Sequence, residues 1–310
     1  MNFRLSIGVV SLLIASALSA QTPPKSFQNP TTVRELIATT KPQDWVKVDP
    51  AHTLYMELAT GRVVIQLFPE FAPRHVANIE KLAKARWYDG LAIERVQDNF
   101  VAQWGDPLNS QPQVGEKRLP AEFTRSAQGV SFTRLRDLDT YATEVGFSNE
   151  MPVARSGSEG DIWPIHCYGA VGVGRDVDPS TAIGTELYAV IGHSPRQLDR
   201  NVAIVGRVIW GMDLLSSLPR GTGDLGMYEQ PEQRVPIQSI RLASDVPANE
   251  RKAYEILRTD SKAFEKLIEL RRNRRDTWYK VPAGHIDICN IPVQVRERSE
   301  APAPTKRGSK

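Results

Sequence analysis

The sequence predicts a mainly β fold, an antiparallel barrel or sandwich and not a doubly wound sheet. Two observations lead there. Leu54, Met56 and Leu58, then Val63, Ile65 and Leu67, alternate at period two on either side of an Ala59-Thr60-Gly61-Arg62 turn, which is the pattern of a hairpin. One amphipathic helix follows, and after it come several strand-like runs without regular crossover helices.

The elements follow in order. Residues 1–20 have the form of an export leader: Arg4, an apolar run from Leu5 to Ala15, then small residues ending at Ser19-Ala20. The apolar run is too short for a membrane span, and no later stretch approaches the roughly 20 apolar residues one needs. The mature protein is therefore expected to be exported and free of the membrane, and periplasmic in a Gram-negative source. Residues 21–49 form a lead-in in which Val33, Leu36 and Ile37 predict a short helix over Thr31 to Thr39. After the hairpin, Pro69 and Pro73 stop the strand. Pro73 suits a first helical turn, and Val76, Ile79, Leu82 and Ala83 give that helix its apolar stripe.

Trp87-Tyr88-Asp89-Gly90 marks a turn before the strand Ile93 onward. Residues 108–168 are polar and far longer than an ordinary loop, an insertion in a domain spanning 50–245. Strands are expected at Gly169–Gly174, Leu187–Ile191 and Val202–Val208. Beyond Val246-Pro247 the composition changes. Residues 246–298 are expected to form a helical extension, with helices over 249–258 and 261–275, N-caps at Asn249 and Asp260, and a strand-like end from Ile286 to Val295. These apolar faces must be buried, so the extension is expected to lie against the barrel. Residues 299–310 have the composition of a disordered tail.

With 41% hydrophobic and 24% charged residues in 310, the chain is globular. A net charge of +3 gives no argument for nucleic acid or anionic lipid as a partner, and the sequence fixes no oligomeric state. The two cysteines are Cys167 and Cys289. In an oxidising compartment they can form a disulfide; two buried free thiols fit equally. A metal site from His166, Cys167, His285 and Cys289 is disfavoured because Pro282, Gly284 and the alternation of Ile286 and Ile288 deny His285 and Cys289 a helix. No metal and no cofactor is expected. The glycines at 169, 172 and 174 have the wrong spacing for a dinucleotide loop.

The most informative stretch is Ile93-Glu94-Arg95-Val96-Gln97-Asp98-Asn99-Phe100-Val101-Ala102-Gln103-Trp104-Gly105-Asp106-Pro107. It resembles the cyclophilin signature, roughly F-H-R-V-x-x-x-F-x-x-Q-x-G-D. Further stretches agree in order and spacing: Val64 to Asn78 with the family's opening hairpin and helix, Trp87 to Gly90 with its turn, Gly184-Thr185-Glu186-Leu187-Tyr188-Ala189 with G-S-Q-F-F-I, and Leu198-Asp199 through Gly211-Met212 with its ending. The resemblance covers residues 50 to 245. It implies an eight-stranded antiparallel barrel with capping helices, and a peptidyl-prolyl cis/trans isomerase acting on proline-containing polypeptides during folding of exported proteins.

That reaction needs no nucleophile. Rotation about a peptide bond is opposed by about 18–20 kcal/mol because the nitrogen lone pair is delocalised. A fixed guanidinium that donates to the prolyl nitrogen only as the bond twists lowers the barrier. The resemblance assigns that role to Arg95, with Phe100, Val101, Tyr188 and Leu198 around the proline ring and Gln103 and Glu186 beside the arginine. The sequence departs from the family at five places: Glu94 for His, Glu186 for Gln, Tyr188 for Phe, Gln197 for Trp and Val202 for His. Glu186 is placed either to anchor Arg95 or to compete with substrate. These changes leave open a second class, a weakly catalytic binding module or chaperone for unfolded chains, which turnover of an X-Pro peptide separates from the first.

Overall fold

In the computed structural model, which describes residues 32–107, 110–274 and 278–298, eight strands close into an antiparallel barrel. They are β1 (Thr53–Leu58), β2 (Gly61–Leu67), β3 (Ala92–Val96), β4 (Val101–Gly105), β5 (Ala170–Val173), β6 (Glu186–Val190), β7 (Ile204–Trp210) and β8 (Val235–Leu242). Their order around the barrel is β5-β6-β4-β3-β8-β1-β2-β7, with β7 returning to β5. Leu54, Met56 and Leu58 from β1 and Val63, Ile65 and Leu67 from β2 fill the interior, as period two requires. The helix α2 (Pro73–Lys84) lays Val76, Ile79, Leu82 and Ala83 on this core, and Pro73 opens it. The leader and the tail lie outside the described residues.

The barrel's outer face is not all solvated. Tyr55 and Val64, the odd members of the hairpin alternation, are buried against Tyr254, Ile256 and Ala243. The cover is a three-stranded sheet in which Ala253–Leu257 lies between Trp45–Lys47 and Val295–Arg298, antiparallel to both. The segments that precede and follow the barrel are thus zipped together. The insertion contributes a sheet of five short strands, ordered Arg125–Ser126, Asp161–Pro164, Met151–Arg155, Glu144–Ser148 and Thr133–Arg134. Leu36 of α1 (Val33–Ala38), Phe147 and Trp163 of the insertion, and Phe264 and Leu267 of the C-terminal segment share one further apolar core. Cys167 and Cys289 are joined as a disulfide there.

Three local expectations are corrected. Residues 249–258 are not a helix. The strand Ala253–Leu257 finds hydrogen-bonding partners on both edges, one of them some two hundred residues away, and such pairing overrides local propensity. Among its described residues the extension is therefore mixed, with one α-helix, α3 (Lys262–Arg272). Its N-cap is Ser261, whose hydroxyl accepts from the Phe264 N–H at 3.1 Å, while Asp260 is held 2.7 Å from Arg258. Between Ile286 and Val295 lies a short 3-10 turn, Ile288–Asn290, and the strand begins only at Val295.

The disulfide spans 122 residues of sequence. Replacing both cysteines by serine should lower the unfolding free energy by about 2–5 kcal/mol, the upper end being the chain-entropy value for so long a loop. Urea unfolding of the oxidised protein against the double variant checks this; equal midpoints would refute it.

Candidate active site

Arg95 is aimed outward by an irregularity in β3. Ile93 and Val96 both reach the barrel core, although three residues apart they belong on opposite faces of a regular strand. The register with β4 shifts between Ile93 and Arg95, a bulge that absorbs the extra residue and places Arg95 opposite Gln103. On β4 the alternation is regular: Ala102 and Trp104 lie inside, Val101 and Gln103 outside.

Three acceptors hold the Arg95 guanidinium. Nε donates to the Leu225 carbonyl at 2.6 Å, Nη1 to Gln103 Oε1 at 3.1 Å, and Nη2 to Gln97 Oε1. The Leu225 carbonyl belongs to a loop stitched to β3: the Gly221 N–H donates to the Val96 carbonyl at 2.9 Å and the Tyr228 N–H to that of Glu94 at 3.0 Å. Close approach here needs glycine. Gly226 has φ +79°, and a Cβ on it would lie 2.5 Å from Cα of Gln97. The guanidinium carbon stands 5.6 Å from the centroid of the Phe100 ring.

Glu186 does not anchor Arg95 directly. Gln103 stands between them, donating from Nε2 to Glu186 Oε2 at 2.7 Å while its carbonyl oxygen accepts from Arg95. The carboxylate thereby fixes which end of the amide faces the guanidinium. Burial pushes the Glu186 carboxyl above its ordinary range, and Asp176 and Asp106 add to the rise against the Gln103 hydrogen bond and Arg95. Burial likewise lowers Arg95, and Glu186 opposes that. Glu94, where the family has His, is an ion-pair partner of Arg234 at 2.8 Å.

Phe100, Val101 and Tyr188 belong to one apolar cluster with Val190, Ile204 and Val202, which Phe132 and Met151 of the insertion join. Leu198 is half-buried in the neighbouring turn Arg196–Leu198, outside that cluster. Tyr188 departs from an apolar wall by its hydroxyl, which lies 2.8 Å from His166 Nε2. Behind it, His166 Nδ1 is 2.8 Å from Asp199 Oδ1, Arg196 Nε donates to Asp199 Oδ2 at 2.6 Å, and Arg196 also pairs with Asp139 at 2.8 Å.

The sequence reading missed His166, Arg196, Asp139 and Leu225 as neighbours of the site. One signal was present in the glycines dismissed as a dinucleotide loop. A Cβ on Gly172 would lie 2.3 Å from the Tyr188 hydroxyl, and one on Gly174 would lie 2.9 Å from the Glu186 Cβ, so both glycines clear space for site residues. The four residues weighed as metal ligands do not converge. The cysteines are bonded to each other, His166 faces Tyr188 and Asp199, and His285 lies 3.3 Å from Asp137.

The model of the cyclophilin-type peptidyl-prolyl cis-trans isomerase family matches residues 53–242, the barrel with its insertion. A probable peptidyl-prolyl cis-trans isomerase of Brucella suis is 28% identical over 186 residues, 60% of this chain and 81% of that one. Peptidyl-prolyl cis-trans isomerase B of Bacillus subtilis is 48% identical over a shorter stretch of 56 residues, 18% of this chain and 39% of that protein. Among solved structures, cyclophilin AquaCyp293 of Hirschia baltica superposes with a TM-score of 0.69 at 26% identity, covering 86% of this chain and 97% of that one. That share of the chain is larger than residues 53–242 alone would give. The closed antiparallel barrel, the match over 53–242 and these relatives together place the chain in the cyclophilin family of peptidyl-prolyl cis/trans isomerases.

Proposed function

We propose that Arg95 is the group that lowers the barrier to X-Pro rotation, and that the protein works on exported polypeptides. The observation that carries the first part is the guanidinium held by three acceptors over the Phe100 ring. A guanidinium has five N–H bonds. The three contacts leave a second N–H on each of Nη1 and Nη2 for a substrate. With the proline ring on Phe100, Val101 and Tyr188 and beside Leu198, one of these donates to the prolyl nitrogen. The planar amide nitrogen is a poor acceptor and the twisted, pyramidal one is a good acceptor, so the bond strengthens in the transition state and speeds the reaction in both directions. Gln103, turned by Glu186, keeps the guanidinium in plane and offers its remaining N–H to the substrate backbone. No covalent bond is made or broken.

The cellular setting is supported by the leader-like residues 1–20 and by the disulfide, which is stable in an oxidising compartment. An isomerase there meets chains whose prolines are still equilibrating over tens of seconds or more. Assistance to folding of secreted proteins, in the periplasm of a Gram-negative source, is the corresponding role.

Two measurements test the site. Arg95→Ala should reduce kcat/KM on an X-Pro peptide by about 10²–10³ with the fold intact, as loss of one preorganised donor does. Arg95→Lys should also be impaired, because a point charge cannot meet three acceptors in one plane. Unchanged turnover by Arg95→Ala would defeat the assignment.

Glu186 makes a pH-dependent claim. Its carboxyl binds a proton more readily in the native than in the unfolded state, so the ionised form costs stability at neutral pH, and that cost vanishes as pH falls below the ordinary carboxylate range. Glu186→Gln should therefore raise Tm at pH 7.5 and bring a smaller gain at pH 4. A gain that grows on acidification would reverse the sign and reject this account.

A further inference from the structure

We infer that His166 is a positioning residue for the proline pocket: it holds Tyr188 by its hydroxyl so that the phenol serves as a fixed wall. This rests on the reading of Phe100, Val101 and Tyr188 as that pocket.

The hydrogen-bond roles follow from the partners. His166 is fully buried. Asp199 Oδ1 accepts from the backbone N–H of His166 at 3.0 Å and lies 2.8 Å from Nδ1. In the neutral imidazole, the nitrogen facing a carboxylate carries the ring proton, here Nδ1, which leaves Nε2 as an acceptor. The Tyr188 hydroxyl, 2.8 Å from Nε2, therefore donates to it. Its hydrogen is directed at His166, and the two rings lie nearly parallel, 10° between planes.

The histidine is itself immobilised. Asp199 receives Arg196 Nε at 2.6 Å, and Arg196 grips Asp139 with both Nη atoms at 2.8 and 3.1 Å. The side chains of Arg196, Asp199 and Asp139 are 4%, 6% and 2% exposed. Asp139 belongs to the insertion, where it also accepts from the N–H groups of Tyr141 and Ala142. A chain of charge-assisted hydrogen bonds thus runs from the insertion to the pocket wall. Gly172, opposite Tyr188 in the β5–β6 register, admits the hydroxyl end of the ring.

A tyrosine brings a hydroxyl into an apolar wall. Unpartnered, it is costly to bury, and the ring turns to find a partner. Partnered by His166, the ring is held by its far end as well as by its Cβ. The groups that act on the reacting bond are carried by β3 and β4, not by the strand that carries Tyr188. Loss of the histidine should therefore weaken capture of the proline ring without altering the chemistry at Arg95.

The test is steady-state isomerisation of an X-Pro peptide by the full-length oxidised protein. His166→Leu should raise KM about three- to tenfold with kcat within twofold of wild type. His166→Gln places an amide oxygen near the former Nε2 and should restore KM. Tyr188→Phe should raise KM by a comparable factor, and the double variant His166→Leu with Tyr188→Phe should be no worse than either single one, because the hydroxyl and its partner are removed together. Tyr188→Phe keeps the ring and carries the test should His166→Leu not fold. Phe100→Ala separates the levels of the claim. If it raises KM while the 166 and 188 variants do not, the pocket stands and the role of His166 is refuted. If Phe100→Ala leaves KM unchanged, the pocket reading itself fails. Additive losses in the double variant, or a fall in kcat at constant KM, overturn the inference.

Discussion

A guanidinium that stabilises a twisted amide is useful only if it is held still. An arginine on an ordinary strand samples many rotamers, and ordering it at the moment of reaction would consume what the hydrogen bond contributes. Here the ordering is done in the folded protein. The bulge in β3 turns Arg95 outward, Gln103 meets it from β4, Gln97 from its own hairpin, and the Leu225 carbonyl from a loop that hydrogen-bonds to the strand. Each contact depends on another part of the fold, so the barrel as a whole fixes one side chain.

The same logic extends outward from the arginine. Gln103 faces the guanidinium with its oxygen because Glu186 takes one of its amide hydrogens. Glu186 fits because Gly174 lacks a Cβ, and Tyr188 fits because Gly172 does. Tyr188, in the proposed pocket wall, leans on His166, Asp199 and Arg196, and through Asp139 on the insertion. The insertion and the segments flanking the barrel, which share a core, are therefore not mere decoration. The flanking segments bury the outer residues of the first hairpin, and the insertion carries one end of the hydrogen-bond network behind Tyr188.

The barrel and the pairing of Arg95 with Gln103 were legible in the sequence because their signals are local. Period-two alternation marks β1 and β2, and the run from Arg95 to Gly105 compresses a hairpin, a donor and its amide partner into eleven positions. What escaped was non-local. The strand Ala253–Leu257 is made by partners at residues 45–47 and 295–298, which no window around it contains. His166 lies 22 residues before Tyr188 and 33 before Asp199, at the end of an insertion whose polar composition hid its strands. A glycine in mid-strand was the trace such a contact left, and it acquires meaning only once the residue across the ladder is known. Ser261 displaced Asp260 as the cap of α3 for a local reason: Arg258, two residues away, engages the aspartate.

The central claim is that Arg95 is fixed before substrate arrives, and the motion of its Nε–H reports on this directly. Nitrogen-15 relaxation of the arginine side chains in the free, oxidised protein yields an order parameter for that bond. Preorganisation predicts a value near that of rigid backbone, about 0.85, well above those of solvent-exposed arginines. It also predicts little change on adding a proline peptide. A value below about 0.6 that rises only when the peptide binds would show that the substrate, and not the fold, orders the guanidinium, and would contradict the account.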